Sequence, residues 1–236
     1  MTDAPADTRV AGEARLILLL VGAVGAGKGT QASSLSRELG LPHLASGNLF
    51  RAAMAANTPL GEQAREYMER GELVPDEITI RMFMAELDSP AATRGAILDG
   101  FPRTVGQARA LDETLADRGE RIRRVIYIDV PTEELVRRVA GRWICPECGT
   151  PYHESTDPPR VPGQCDLDGT QLRQRDDDRP EVVRARLERQ VPPMLEVVDH
   201  YERAGIVERL DGTRSIEEVT AEILERIGAS PRAAGS

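Results

Sequence analysis

Leu16-Ile-Leu-Leu-Leu-Val21-Gly22-Ala-Val-Gly25-Ala-Gly27-Lys28-Gly29-Thr30 decides the architecture of this chain. Six apolar residues without polar alternation read as a strand buried on both faces. The glycines after it, in a G-x-x-x-x-G-K arrangement, let successive backbone N–H groups turn inward around a phosphate, and the lysine reaches its outer oxygens. A helix predicted over Gln31 to Leu39 adds the positive end of its dipole. Strand, loop and helix follow in the order that separates a phosphate-binding loop from an ordinary glycine-rich turn. Lys28 is the one lysine of the chain, and arginine supplies every other permanently charged basic side chain.

At 236 residues the chain can bury a substantial core, and one main domain with insertions is expected. A net charge of −9 argues against a general nucleic-acid binder, although local arginine clusters can still hold local phosphates. No apolar run approaches the roughly 20 residues of a membrane span, and the first residues carry no charged-then-apolar signal pattern. The expectation is a soluble, cytoplasmic protein. Three cysteines at non-random spacing fit a metal site in a reducing compartment better than a disulfide framework. The tails, residues 1–14 and 229–236, are rich in Ala, Pro, Gly and Ser and are expected to be disordered.

Strands are predicted at Leu16–Val21, Pro42–Ala45, Ala96–Asp99, Val125–Asp129 and Ile206–Leu210. Helices are predicted between and after them, at Gln31–Leu39, Gly47–Ala55, Leu60–Arg70, Asp76–Leu87, Val105–Arg118, Thr132–Ala140, Pro180–Ala204 and Ile216–Ile227. Such alternation implies an α/β fold with a mostly parallel sheet covered on both faces, and ligands at the carboxyl ends of its strands. Two stretches interrupt the pattern: Asn57–Val74, helical but outside the strand alternation, and Arg142–Arg175.

The second stretch is rich in Pro, Gly and Asp and too poor in apolar residues to build a core alone. Cys145-Pro-Glu-Cys148 and Cys165-Asp-Leu-Asp168 stand sixteen residues apart, a zinc-ribbon spacing with a carboxylate where a fourth cysteine is expected. Three thiolates and Asp168 would close a structural Zn²⁺ tetrahedron. His153 competes for the fourth place, with Asp168 preferred because it repeats the i, i+3 offset of the first knuckle. Three free cysteines in an unmetallated loop is the plain alternative.

Asp99 ends an apolar run in a carboxylate, as in proteins that hold Mg²⁺ directly or through water opposite a glycine loop; merely capping the next turn is its simpler role. Arg103 follows just past that strand end, facing the same crevice. Arg138 and Arg142, four apart, are expected on one face of a helix end, with Arg175 and Arg186 beyond the cysteine insert. Arg124, Arg137, Arg184 and Arg189 read as a solvated face.

These residues, with Ser46-Gly47 and Arg51, Leu73-Val-Pro-Asp-Glu77, Leu98-Asp-Gly-Phe-Pro-Arg-Thr104 with Gln107, Gln174-Arg-Asp-Asp-Asp178 and Asp211-Gly-Thr213, resemble the adenylate kinase family, in its long-lid, zinc-bearing bacterial form. The resemblance runs in order from Leu16 to Ile227. It implies a P-loop nucleoside triphosphate hydrolase-like three-layer fold with a five-stranded parallel sheet, within an adenylate kinase unit at 15–228. The core takes residues 15–45, 75–141 and 176–228, a helical AMP-binding insertion 46–74, and a small zinc-ribbon-like lid 142–175. It also implies the Mg²⁺-dependent conversion of ATP and AMP to two ADP, in a monomer with no nucleic-acid or membrane partner.

By the same resemblance, Gly25, Ala26, Gly27, Lys28, Gly29 and Thr30 hold the ATP phosphates, Arg138 and Arg142 sit over that nucleotide, Pro151 and Tyr152 lie near the adenine ribose, and Arg214 offers its backbone beside ATP. Ser46, Arg51, Glu72, Leu73, Val74, Gly100, Phe101, Pro102, Arg103 and Gln107 match AMP-binding positions. Arg175 and Arg186 match arginines that bridge toward the transferred group.

Three positions depart from the family pattern. Gly29 supplies no hydroxyl for Mg²⁺ where many phosphate loops have Ser or Thr, though Gly-Thr is this family's usual form. Val24 replaces a frequent proline, and Asn48 a frequent aspartate, which removes a charge that could orient Mg²⁺-bound water. A UMP/CMP kinase or GTP-preferring kinase shares the architecture, and a nucleotide-sensing or zinc-ribbon nucleic-acid-binding protein without turnover is the reading from another class.

Overall fold

The computed structural model describes residues 15–69, 74–154, 157–174 and 178–229. The tails, apart from Ala229, and Glu72, Leu73 and Arg175 lie outside the described residues. The strands are β1 (Leu16–Val21), β2 (His43–Ala45), β3 (Gly95–Asp99), β4 (Arg124–Asp129), β5 (Arg142–Ile144), β6 (Pro151–His153) and β7 (Val207–Asp211). The helices are α1 (Lys28–Leu39), α2 (Ser46–Ala55), α3 (Pro59–Glu69), α4 (Asp76–Leu87), α5 (Val105–Ala116), α6 (Thr132–Ala140), α7 (Pro180–Glu202) and α8 (Ile216–Arg226).

Five strands make one sheet in the order β2-β3-β1-β4-β7, every pair parallel. The fold is the α/β arrangement expected from the alternation. Being central, β1 is buried on both faces, which is why its run is apolar at every position. Its residues divide by the pleat: Ile17, Leu19 and Val21 join Phe83, Leu111 and Tyr201 on one face, while Leu18 and Leu20 join Leu35, Val139 and Ile223 on the other.

Helix α7 serves both layers. Val183 and Leu187 of its first half belong to the layer beneath α1 and α8, and Val197, Val198 and Tyr201 of its second half to the opposite one. Pro192 and Pro193 lie between the halves. Neither can donate to the helical ladder, so the helix can bend there and follow the sheet round its edge.

Two smaller apolar clusters stand apart from the sheet. Phe50, Ala64, Val74 and Met82 join α2, α3 and α4. Cys145, Tyr152, Cys165 and Leu172 form the other around the antiparallel β5–β6 pair, a hairpin whose three-residue strands the sequence reading did not anticipate. Helix α1 begins at Lys28 rather than Gln31, because Gly27 in the left-handed conformation (φ 92°) turns the chain into the helix three residues early. Helix α6 stops at Ala140, so Arg142 lies on β5 and does not share a helical face with Arg138; Gly141 ends the helix. Among the described residues no helix is long and apolar enough to cross a membrane.

Candidate active site

Strand register brings the chemistry to one end of the sheet. Leu20, two residues before Gly22, lies opposite Asp99, and Asp99 lies opposite Ala45, directly before Ser46. The glycine loop, Asp99 and the start of α2 therefore share the carboxyl edge of β1, β3 and β2. Gly25 holds φ at 85°, and a Cβ there would stand 2.8 Å from Val139 Cγ2 and 3.0 Å from the Leu135 carbonyl oxygen. The loop is thus seated directly on α6, and only glycine fits.

Lys28 Nζ donates to the carbonyls of Gly22 at 2.8 Å and Ala23 at 3.1 Å, so its stem curls back under the loop. Burial lowers its pKa, Asp99 pulls it back up and Arg103 lowers it further. Arg103 is likewise lowered by desolvation, with Asp99 opposing and Arg186 adding to the shift. The structure thus gathers Lys28, Asp99, Arg103 and Arg186 into one electrostatic neighbourhood, a density of cations that a phosphate-rich ligand would relieve. His43 Nε2 lies 3.2 Å from Asp99 Oδ2 and orients that carboxylate. Asp99 at the strand end, beside Gly29 and Lys28, fits a Mg²⁺ held through water.

Across the crevice, Arg103 Nε donates to the Gly100 carbonyl at 2.8 Å, and Ser46 Oγ donates to the same carbonyl at 3.2 Å. Phe101 and Pro102 are buried, Phe101 stacked on Phe83 at 5.2 Å between ring centroids, which fixes the segment carrying Arg103. Arg51 donates to Asn48 Oδ1 at 2.5 Å, one turn earlier on α2. Asn48 thus serves Arg51, a partnership the sequence reading did not consider. Gln107 is buried, accepts from the Arg103 backbone N–H and donates to Asp76. Val74 belongs to the α2–α3–α4 cluster.

On α6, Arg138 Nε contacts Glu134 at 2.7 Å, and its charge also reaches Asp211. The Arg214 guanidinium pairs with Glu222 of α8 at 2.5 Å. Arg142 grips Asp178 with two nitrogens, Nε at 3.0 Å and Nη2 on the other oxygen. Asp178 is fully buried, so this pair clasps the start of the insert to the segment that leaves it. Tyr152 is buried too: its hydroxyl accepts from the Asp166 N–H at 2.7 Å and lies 3.4 Å from Cys165 Sγ. The phenol belongs to the insert's own core, and what the segment offers outward is backbone and the exposed ring of Pro151.

Donor atoms of Cys145, Cys148, Cys165 and Asp168 all lie within 4.8 Å of one another, a spacing that fits a tetrahedral Zn²⁺. The two knuckles are conformational copies. Cys145 N–H binds the Thr150 carbonyl and Gly149 N–H returns to Cys145; Cys165 N–H binds the Thr170 carbonyl and Gly169 N–H returns to Cys165. Asp168 therefore occupies the place that Cys148 holds in the first knuckle. Hydrogen bonds from the backbone and side chain of Thr170 hold its carboxyl well below the usual range, ready to ligate. The His153 ring points the other way, against Gly141, where a Cβ would meet Nε2 at 2.5 Å.

Asp76, Asp178 and His43 were missed as partners in this region. Each acts across 31 to 56 residues on a side chain in another element, and no local spacing signals it.

The sequence model of the family described as adenylate kinase matches residues 20–206. An adenylate kinase of Carboxydothermus hydrogenoformans is 48% identical over 206 residues, covering 87% of this chain and 96% of its own. That of Exiguobacterium sibiricum is 47% identical over 211 residues, covering 89% and 98%. One from Staphylococcus aureus is 43% identical over 208 residues, covering 88% and 97%.

Proposed function

The chain belongs to the adenylate kinase family, and on that premise we propose that it moves the γ-phosphoryl group of ATP onto AMP, giving two ADP, with the residues above in divided roles. The observation that carries the assignment of roles is the convergence of Lys28, Asp99, Arg103 and Arg186 at the carboxyl edge of the sheet.

The nucleophile is an oxygen of the AMP phosphate, already ionised near neutral pH, so the reaction needs alignment and charge neutralisation rather than a general base. The loop amides from Gly25 to Thr30 and the Lys28 ammonium bind the donor's β- and γ-phosphates. The curled lysine, now bonded to two carbonyls of its own loop, has the slack to extend toward them. Arg51 and Arg103 fix the acceptor phosphate from the opposite wall, Ser46 and Gly100 shape the ledge between, and Val74, with the family-matched positions Glu72 and Leu73, serves AMP binding. Arg138 and Arg142 serve the donor nucleotide, and Arg186, with Arg175 as its family-matched companion, serves the transferred group, for a planar guanidinium pairs with two oxygens at once and stays charged as water leaves. Asp99 would help hold Mg²⁺ through water, and the ion would supply further charge neutralisation.

The separate apolar clusters support a division into a core, a helical AMP-binding insertion at 46–74 and a lid at 142–175. A lid that swings over the donor excludes water, the competing acceptor of the γ-phosphoryl group. Zn²⁺ on Cys145, Cys148, Cys165 and Asp168 keeps that lid stiff, since four buried side chains are a small core for it. Gln107 reads the adenine edge, and the protein works as a cytoplasmic monomer.

The test is ADP formation from Mg·ATP with AMP, UMP, CMP and GMP as separate acceptors, beside Lys28→Met. Selective turnover with AMP, lost in the variant, is expected. Preference for another acceptor moves the substrate, and silence with all four refutes the proposal.

A further inference from the structure

We infer that Asp76 is a positioning residue that locks the side-chain amide of Gln107 in one orientation and so sets which base the acceptor nucleotide carries. The inference rests on the reading that Gln107 meets that base.

Gln107 is 5% exposed and both ends of its amide are engaged within the protein. Oε1 accepts from the Arg103 backbone N–H at 2.6 Å. Nε2 donates to Asp76 Oδ1 at 2.7 Å. These partners have opposite and fixed chemistry: a carboxylate offers lone pairs, a peptide N–H offers a proton. Turning the amide over would set oxygen against carboxylate and NH₂ against N–H, so two hydrogen bonds become two repulsions in a site largely closed to water. Neither anchor is itself loose. Asp76 is the first residue of α4, and Gln107 lies in the first turn of α5, where its own backbone N–H is capped by Thr104 at 3.2 Å.

Each end of the locked amide keeps one further capacity, a second lone pair on Oε1 and a second proton on Nε2. Their order along the amide is fixed. Adenine presents a donor at its 6-amino group beside an acceptor at N1 and is complementary to that order. Hypoxanthine, of nearly the same shape, presents an acceptor at O6 beside a donor at N1 and requires the reversed amide. Guanine and uracil share its reversed pattern. A free glutamine would serve either kind by rotating, so selectivity against oxo bases comes from what prevents the rotation. Asp76 supplies half of that restraint and the Arg103 backbone the other half.

The test compares AMP with IMP as acceptors for Mg·ATP in wild type, Asp76→Asn, Asp76→Glu, Gln107→Leu and the double variant Asp76→Asn with Gln107→Leu. The readout is the ratio of kcat/KM for the two acceptors, which does not depend on the folded fraction. A carboxamide can donate as well as accept, so Asp76→Asn should lower the AMP preference about tenfold, the worth of one hydrogen bond to a charged group, mainly through the acceptor KM. Asp76→Glu, which keeps a carboxylate, should restore part of it. Gln107→Leu should lower the ratio at least as far, and the double variant no further, because both act through one amide. Glu77→Gln removes the same charge one residue later and should leave the ratio as in wild type. If Gln107→Leu keeps full preference for AMP, glutamine does not read the base and the underlying reading fails. If Gln107→Leu loses the preference while Asp76→Asn keeps it, or Glu77→Gln lowers it as much, only the role of Asp76 is overturned.

Discussion

Arg142→Ala should damage this protein twice, and the two injuries can be separated. Asp178 is fully buried, while the Arg142 side chain that neutralises it is 24% exposed. Removing one partner of a buried pair leaves an uncompensated charge and costs about 3–5 kcal/mol. Water reaching the arginine side of the clasp lets some solvent approach the orphaned carboxylate, so the lower end, about 3 kcal/mol, is expected. For a chain of this size each kcal/mol shifts Tm by about 2–4 °C, which predicts a fall of roughly 6–12 °C. Adding Asp178→Ala removes the orphan and should return most of that loss, to within about 1 kcal/mol of wild type. Activity should not return with it, because the transferred phosphoryl group still lacks a guanidinium. Thermal unfolding followed by circular dichroism, beside initial rates at low temperature, measures both. An Arg142→Ala protein melting within about 2 °C of wild type would refute the reasoning, and so would a double variant less stable than the single one.

Stripping metal with a chelator should lower Tm while sparing the initial rate at low temperature; equal and immediate loss of both would show that the metal is catalytic or that the lid fails outright. Gly25→Ala should destabilise by about 2–3 kcal/mol, from the left-handed backbone and the contact with Leu135, and raise the KM for ATP more than that for AMP, as denaturant titration and steady-state kinetics would show. Ser215→Ala breaks a capping box in which the Ser215 backbone N–H and side chain hold the Glu218 carboxyl below its usual pKa. A depressed carboxyl stabilises the fold above its unfolded pKa of about 4.3 and loses that contribution as pH falls through the folded value. The difference in Tm between variant and wild type, measured from pH 7 to pH 3, should therefore narrow on the acid side.

The sheet strands were legible to within a residue at each end, most plainly the central ones, where burial on both faces leaves an uninterrupted apolar run, as in Leu16–Val21. The phosphate loop was legible because its pattern is local, and the cysteine–aspartate cluster because its members come in two short pairs. The hairpin Arg142–Ile144 with Pro151–His153 was hidden by its brevity, for three-residue strands carry too little periodicity to register. Placing Arg138 and Arg142 on one face failed because Gly141 ends the helix between them. The packing of the Tyr152 phenol with Cys145, Cys165 and Leu172 joins residues from separate parts of the cysteine insert, and no local spacing signals it. Asp76 on Gln107 and Asp178 on Arg142 were invisible for a common reason: each pairing is set by how distant elements dock, and no sequence interval encodes it.

That the chain holds a single ε-amine, and holds it curled under the glycine loop, gives that loop its own chemical tag. Wherever lysines are many, an acylating reagent scatters over the surface and reports on nothing in particular. Here one modified side-chain amine is one silenced loop. Its depressed pKa provides more of the nucleophilic neutral form than an ordinary lysine, while burial restricts access to it. Uptake of label at Lys28 should therefore count phosphate loops one for one, and a nucleoside triphosphate bound at the proposed site should shield Lys28 while the α-amine still reacts.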